Sequence, residues 1–201
     1  MILTKLGRTI VSLAFIGPLA IGGRSTDAPL TLQAASRIWV SGTSNVKNFE
    51  CKAVNPNVTV SASKRDAVRA VTAGEQAVGA VDLRVTVTTM DCGNGTINDH
   101  MREALNANTH PVIEFTVASY TLVKSADSVG VTLNGTLNIN GTEKTITIDA
   151  GAKNAGNDVL EVTGEYDVHM NDYGVSPPTL MLGTMRVGEL ATVHFDLLLK
   201  S

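Results

Sequence analysis

From Arg37 onward the chain alternates apolar and polar residues with the two-residue period of strands that are wet on one face. Val81, Leu83, Val85 and Val87 alternate with Asp82, Arg84, Thr86 and Thr88, which sets an apolar face against a polar one. The pattern recurs at Val129, Val131, Leu133, Leu137 and Ile139, then at Ile146 and Ile148. It returns at Leu160, Val162, Tyr166 and Val168, and last at Val193, Phe195, Leu197 and Leu199. Val and Thr are abundant in these runs, and their branched side chains pack well on a pleated surface. Turn signals separate the runs. Asn140-Gly141 is the strongest, because both residues accept the positive φ of a tight hairpin. Lys153 to Asp158 supplies a longer turn.

One segment breaks the period. Ile97, Met101 and Leu105 are spaced four apart with Ala104 on the same side, which predicts an apolar stripe on a helix of about three turns. Asn98 is placed to cap its start, and Pro111 forbids its continuation. A single short helix among so many strands does not make an α/β fold. The pattern predicts an all-β protein: an antiparallel, lipocalin-like β-barrel of about eight strands with one short helix near a barrel mouth. Closure removes the sheet edges that invite aggregation. A ring of that size holds either its own packed side chains or one small ligand. Aromatic residues are only 4% of the chain, and inner faces of Val, Leu and Ile leave more open volume than Phe or Trp.

The N-terminus carries Lys5 and Arg8, then an apolar run from Ile10 to Ile21 followed by small and polar residues. That is the order of a secretory signal, with Ala20 and Gly22 at the cleavage site. Residues 1–22 are therefore expected to be a signal peptide, 23–36 a linker or extended arm, and 37–201 the barrel domain. The apolar run is shorter than the roughly 20 residues of a spanning helix and is interrupted by Ser12, Gly17 and Pro18, so no stable membrane span is expected. A net charge of −3 with no Lys/Arg cluster argues against a nucleic-acid partner. Export places the chain in the periplasm or outside the cell. In such an oxidising compartment Cys51 and Cys92 are read as a disulfide, with two separate buried thiols as the alternative.

Candidate chemistry is sparse. His100, His110, His169 and His194 show none of the spacings that bring two imidazoles to one metal, and two cysteines alone fall short of a zinc site. His100 is expected on the polar side of the helix and His194 toward solvent. Ser61 and Lys64 have Ser-x-x-Lys spacing without the partner motifs of that chemistry. Glu161, Glu165 and Asp167 share one strand face, the pattern of a solvated outer surface. Asn-x-Thr triplets at Asn57, Asn94, Asn134 and Asn140 match a glycan acceptor pattern that Thr-rich strands with Asn turns generate by chance. No cofactor and no catalytic group is assigned. The stretch from Asp172 to Met185 contains Pro177 and Pro178 yet carries Leu180, Met181, Leu182 and Met185. A long apolar loop of this kind either closes a barrel mouth or is stapled to the outer wall.

Several local sequences resemble those of one known family. Asn98-Asp99-His100-Met101 leads through the helix into His110-Pro111-Val112-Ile113-Glu114-Phe115; Gly135 to Gly141 forms a Gly-x-Leu-x-Ile-x-Gly hairpin; Met170 to Gly174 and Val187-Gly188-Glu189 follow. In this order they resemble the YceI-like family, secreted lipocalin-like barrels that hold a long isoprenoid chain. The resemblance covers about Arg37 to Lys200. It implies non-catalytic binding or carriage of an isoprenoid-type lipid, or a quinone-like small molecule, inside the barrel. It leaves room for a homodimer. On that reading Phe115, Leu133, Leu137 and Phe195 line the channel, with Met101 and Met181 near a mouth. A different class of function is an exported, stress-related or scaffold protein whose barrel is solid and whose outer surface binds a protein partner.

Overall fold

Strand alternation closes into a ring. In the computed structural model, which describes residues 28–180 and 184–201, the strands are β1 (Ala28–Leu32), β2 (Arg37–Ser44), β3 (Phe49–Ala53), β4 (Asn57–Ala62), β5 (Val78–Thr86), β6 (Met90–Asp91), β7 (Val112–Lys124), β8 (Val129–Ile139), β9 (Thr142–Asn154), β10 (Val159–His169), β11 (Thr179–Leu180) and β12 (Met185–Lys200). Two helices, α1 (Ala67–Thr72) and α2 (Gly95–Ala104), complete the inventory with short 3₁₀ turns at Val87–Thr89 and Met170–Tyr173. The expected signal peptide, residues 1–22, and Met181 lie outside the described residues.

Every pairing around the ring is antiparallel. Its order is β1-β4-β5-β7-β8-β9-β10-β12, and β12 returns to β1, so the eight-stranded barrel expected from the sequence is closed. The seam falls on β12, whose 16 residues are the longest strand. One edge of β12 pairs β10 from Leu190 to Lys200. Its other edge is divided: β1 takes Leu199 and Lys200, and β2 takes the stretch from Val187 to Asp196. The backbone of Leu198, at the junction, is satisfied by the intervening loop. The Ser36 hydroxyl accepts from the Leu198 N–H at 2.9 Å, and the Gln33 N–H donates to the Leu198 carbonyl at 2.8 Å. Beyond β2, strands β3 and β6 extend the sheet as a short flap.

The segment read from the sequence as a linker or extended arm is, from Ala28, the first strand of the ring. Its core contribution is Leu30, which is only 3% exposed. One inward leucine beside a proline is too short an alternation to register as a strand, and Pro29 offers no N–H to a ladder.

The two ends of the barrel are finished differently. At one end Ala67, Val68, Ala70 and Val71 of α1 are buried against Leu30, Val60, Val129, Val131, Leu160 and Leu199, forming a plug that the sequence reading did not include. Six residues, five of them small or β-branched, carry too little periodicity to announce a helix. At the other end lies α2. Its cap is Asn94, whose side chain accepts from the Ile97 N–H at 3.2 Å, and not Asn98 as expected. Asn98 instead braces the preceding turn, accepting from the Cys92 N–H at 2.7 Å and donating to Asp91 Oδ1 at 3.1 Å.

Cys51 of β3 and Cys92 are joined by a disulfide, 41 residues apart in sequence. It ties the flap to the turn that launches α2. Loop closure of this length restricts the unfolded chain by roughly 3–4 kcal/mol. The double variant Cys51→Ala/Cys92→Ala is therefore expected to lose about 3–4 kcal/mol in chemical denaturation, and an unchanged denaturation midpoint in both the variant and the reduced protein would refute that contribution.

Candidate functional site

The inward faces of the ring do not meet. They enclose a cavity of about 330 Å³ running between the α1 plug and α2, within the range of sites that hold a small organic ligand. Its wall is almost wholly apolar. Val131, Leu133, Leu137 and Ile139 of β8, Leu160, Val162 and Val168 of β10, and Val193, Leu197 and Leu199 of β12 line the lumen. These are the positions that alternation assigns to one face. Ile97, Met101, Ala104 and Leu105 of α2 form its cover.

A closed eight-stranded ring is narrow enough for side chains to fill, so the open lumen needs a local cause. The three described phenylalanines provide one. The Phe195 ring lies against Gly164, its direct partner on β10, and the Phe49 ring lies against Gly42, its direct partner on β2. Phe115 of β7 lies against Gly135 of β8. At each glycine a methyl group would collide with the ring, so the missing side chain is the ring's resting place. The rings hug the wall and leave the axis free.

Phe115, Leu133, Leu137 and Phe195, named from the resemblance for a channel, and Met101, named for a mouth, stand on the lining of this cavity. The sequence reading missed other lining groups, among them Lys47 and Phe49 near the flap, Tyr120 near the plug, and Tyr173. His100 was expected on the polar side of the helix, yet it also lines the cavity, with Nδ1 3.9 Å from Glu103 Oε2. It lies three residues after Ile97 and four before Ala104, and that spacing puts it on the flank of the apolar stripe. His194 lies on the outer wall but is not free in solvent. Its ring stacks on Trp39 at 5.0 Å, bonds to the Ser41 hydroxyl at 2.8 Å, and meets Glu165 at 3.3 Å, leaving its side chain 24% exposed. Among the described residues no group of three or more His, Cys, Asp or Glu side chains is placed to hold a metal ion, and no helix is long and apolar enough to cross a membrane.

Two phenols deserve comparison. The Tyr120 hydroxyl accepts from the Ala77 and Val78 N–H groups at 3.1 and 3.0 Å and donates to the Val78 carbonyl at 3.1 Å, so it is fully used by backbone. Tyr173 is 2% exposed and its hydroxyl has no hydrogen-bond partner. Burial, with the nearby Tyr166 phenol and Asp172 carboxylate, pushes its pKa up to about 12. Burial and Asp172 raise Tyr166 as well. At neutral pH the Tyr173 phenol keeps its proton. What this arrangement can do is hold a long apolar body and offer it very few polar contacts.

A model of the YceI-like domain matches residues 33–199 of the chain. Among solved structures, BcnA of Burkholderia cenocepacia is similar at 16% identity with a TM-score of 0.62, covering 84% of this chain and 99% of that one. A polyisoprenoid binding domain from Saccharophagus degradans, implicated in plant cell wall breakdown, is similar at 15% identity with a TM-score of 0.65, covering 87% and 99%. The YCEI protein of Campylobacter jejuni is similar at 14% identity with a TM-score of 0.58, covering 75% and 84%. At these identities the likeness is one of fold. No curated protein matches significantly.

The wall packing has a measurable consequence. Gly164→Ala is expected to cost about 1–3 kcal/mol, the usual cost of overpacking, and Phe195→Leu in the same chain is expected to restore most of it. Additive losses in that double-mutant cycle would show that the ring does not rest on the glycine. The buried phenol gives a second test. A tyrosine pKa raised from 10.0 to about 12 in the folded state means that the native chain holds its proton longer than the unfolded chain. The associated stability is complete below pH 10 and is lost as pH rises toward 12. Wild-type stability should therefore fall relative to Tyr173→Phe across that window, whereas parallel curves would contradict the burial.

Proposed function

This chain belongs to the YceI-like domain family, and from that membership we propose that it is an exported, non-catalytic carrier of an isoprenoid-type lipid or a quinone-like relative, held inside the barrel. The observation that carries the reading is the apolar lumen of about 330 Å³, lined by Phe115, Leu133, Leu137 and Phe195 and covered at one end by Met101. Each CH₂ that leaves water for such a wall contributes about 0.8 kcal/mol, so a long chain binds tightly without a network of polar contacts. A solved relative of the same fold is described as a polyisoprenoid binding domain, which supports this choice of ligand class. The Cys51–Cys92 bridge supports export, since such bridges persist in oxidising compartments. The lumen also argues against a solid barrel that acts only through its outer surface.

Mass spectrometry of the organic extract of purified protein tests the proposal. A long apolar chain is expected at near-stoichiometric yield, and delipidated protein is expected to take up added polyprenol. Leu133→Trp, which sets an indole in the lumen, is expected to weaken that uptake at least about tenfold, a cost of roughly 1.4 kcal/mol, while leaving the far-UV spectrum of the barrel unchanged. Absence of both co-purifying lipid and polyprenol uptake would end the carrier reading.

A further inference from the structure

The two ends of the lumen are sealed to different degrees. At the α1 end Ala67, Val68, Ala70 and Val71 are each no more than 9% exposed, and of these Val71 alone reaches the cavity lining. Lys124 Nζ donates to the Thr72 carbonyl at 2.6 Å and ties the end of that helix to β7. At the α2 end the stripe of Ile97, Met101, Ala104 and Leu105 faces the open lumen, and no residue of α2 is buried. A helix laid over a void lacks the packing that holds a short helix in place. Its ties are also lopsided. On the flap side the Cys51–Cys92 bridge fixes the turn before α2, Asn98 binds Asp91 and the Cys92 N–H, and Arg102 Nη2 donates to the Thr88 carbonyl at 3.2 Å. On the side of the β8–β9 hairpin, a single hydrogen bond among the described residues crosses the gap: Asn106 Nδ2 donates to Asn140 Oδ1 at 2.8 Å, exposed to water. Each end of the helix is followed or preceded by a residue in the left-handed region, Gly93 at φ +72° and Asn106 at φ +48°. A side chain at Gly93 would meet nothing within 4 Å, so the chain has room to turn there.

We propose that the lipid enters and leaves at the α2 end, with α2 as a lid hinged beside the Cys51–Cys92 bridge and latched to the β8–β9 hairpin by the Asn106–Asn140 hydrogen bond. This rests on the reading that the lumen holds a lipid, and adds the door it passes through and the bond that sets the rate. Lifting α2 from the hairpin breaks one exposed hydrogen bond and moves a stripe that already faces a void, whereas lifting α1 unpacks four buried side chains. Local opening is easiest where buried apolar contacts are few and hydrogen bonds are exposed to water. Asn140 is the fixed half of the latch, because its Nδ2 also donates to the Tyr173 and Gly174 carbonyls at 3.3 Å each. Asn106 is the half that moves. Neither residue lines the cavity, so the latch is made whether the lumen is full or empty. It therefore acts on the rates of loading and release and leaves the affinity alone.

The experiment times the release of tritiated polyprenol from loaded protein into excess phosphatidylcholine vesicles, and measures Kd beside it. Wild type is compared with Asn106→Asp, Asn106→Gly and Lys124→Met. Asn106→Asp sets an acceptor against Asn140 Oδ1, Asn106→Gly removes the side chain, and both residues tolerate the left-handed backbone at this position. Each is expected to release polyprenol about three- to tenfold faster, the factor that one hydrogen bond is worth, with Kd unchanged. Lys124→Met, which unties α1, is expected to release at the wild-type rate. Asn106 is exposed and outside the core, so the far-UV spectrum is expected to stay that of wild type, and agreement between its two variants separates a lost latch from a fault peculiar to one of them. Unchanged release in both Asn106 variants, or faster release in Lys124→Met, overturns the α2 door and leaves the carrier reading standing. Faster release matched by an equally weakened Kd overturns it too, because Asn106 would then hold the ligand and not the lid. Failure of wild type to bind polyprenol overturns the carrier reading and this inference together.

Discussion

A closed ring of eight antiparallel strands encloses a space that ordinary side chains can just fill, and everything else in this molecule follows from how that space is kept open. Alternation around the ring delivers an unbroken apolar lining, which on its own would collapse into a core. Three phenylalanine–glycine pairs counter the collapse. Each glycine removes a side chain where an aromatic ring can lie flat, so the largest apolar groups of the wall occupy the least of the axis. The lining is close-packed laterally and empty centrally. Such a lumen stays dry, because an apolar cavity gives water no partners.

The two ends turn this tube into a site with a direction. At the α1 end the plug is built from Ala and Val, packed against Leu30, Leu160 and Leu199, and the one phenol there is consumed by backbone. At the α2 end the cover has no fully buried residue, and the groups around it include Lys47, His100 and the unpaired Tyr173. The Cys51–Cys92 bridge fixes the turn before α2 to the flap, while Asn106 and Asn140, joined at 2.8 Å, tie the turn after α2 to the β8–β9 hairpin next to Tyr173. Cover, flap and hairpin are thereby held in one frame.

Much of this was legible in the residues alone, and what was not has identifiable physical causes. The long strands declared themselves, because repeated alternation outweighs any local accident, and Leu133, Leu137 and Phe195 of those runs stand on the cavity lining, whereas Phe115 was named only from the resemblance. Strand β1 did not, because it shows a single deeply buried leucine and a proline. Helix α2 was found by its stripe, but its cap was misplaced by four residues, since Asn94 and Asn98 are chemically equal candidates and only the fold assigns one to the helix and the other to the turn at Cys92. His100 was set on the wrong side because a histidine on the flank of a stripe reads as polar, whereas next to a barrel mouth it becomes part of the lining. Tyr173 could not be singled out, because whether a phenol is satisfied depends on neighbours that are remote in sequence.

The apolar character of the wall also accounts for a fold shared at only about one residue in six with the solved structures it resembles. Apolar burial is non-directional and scales with area, so a lumen wall needs inward positions to be aliphatic and of tolerable total volume, and any Val, Ile or Leu serves. Sequence can drift there without altering what the tube holds. A hydrogen bond is directional and is lost by displacement of its donor. Selectivity built on hydrogen bonds therefore cannot reside in an aliphatic wall. Among the described residues the surface of the lumen is almost wholly apolar, so this tube discriminates by length and volume and not by a directional contact.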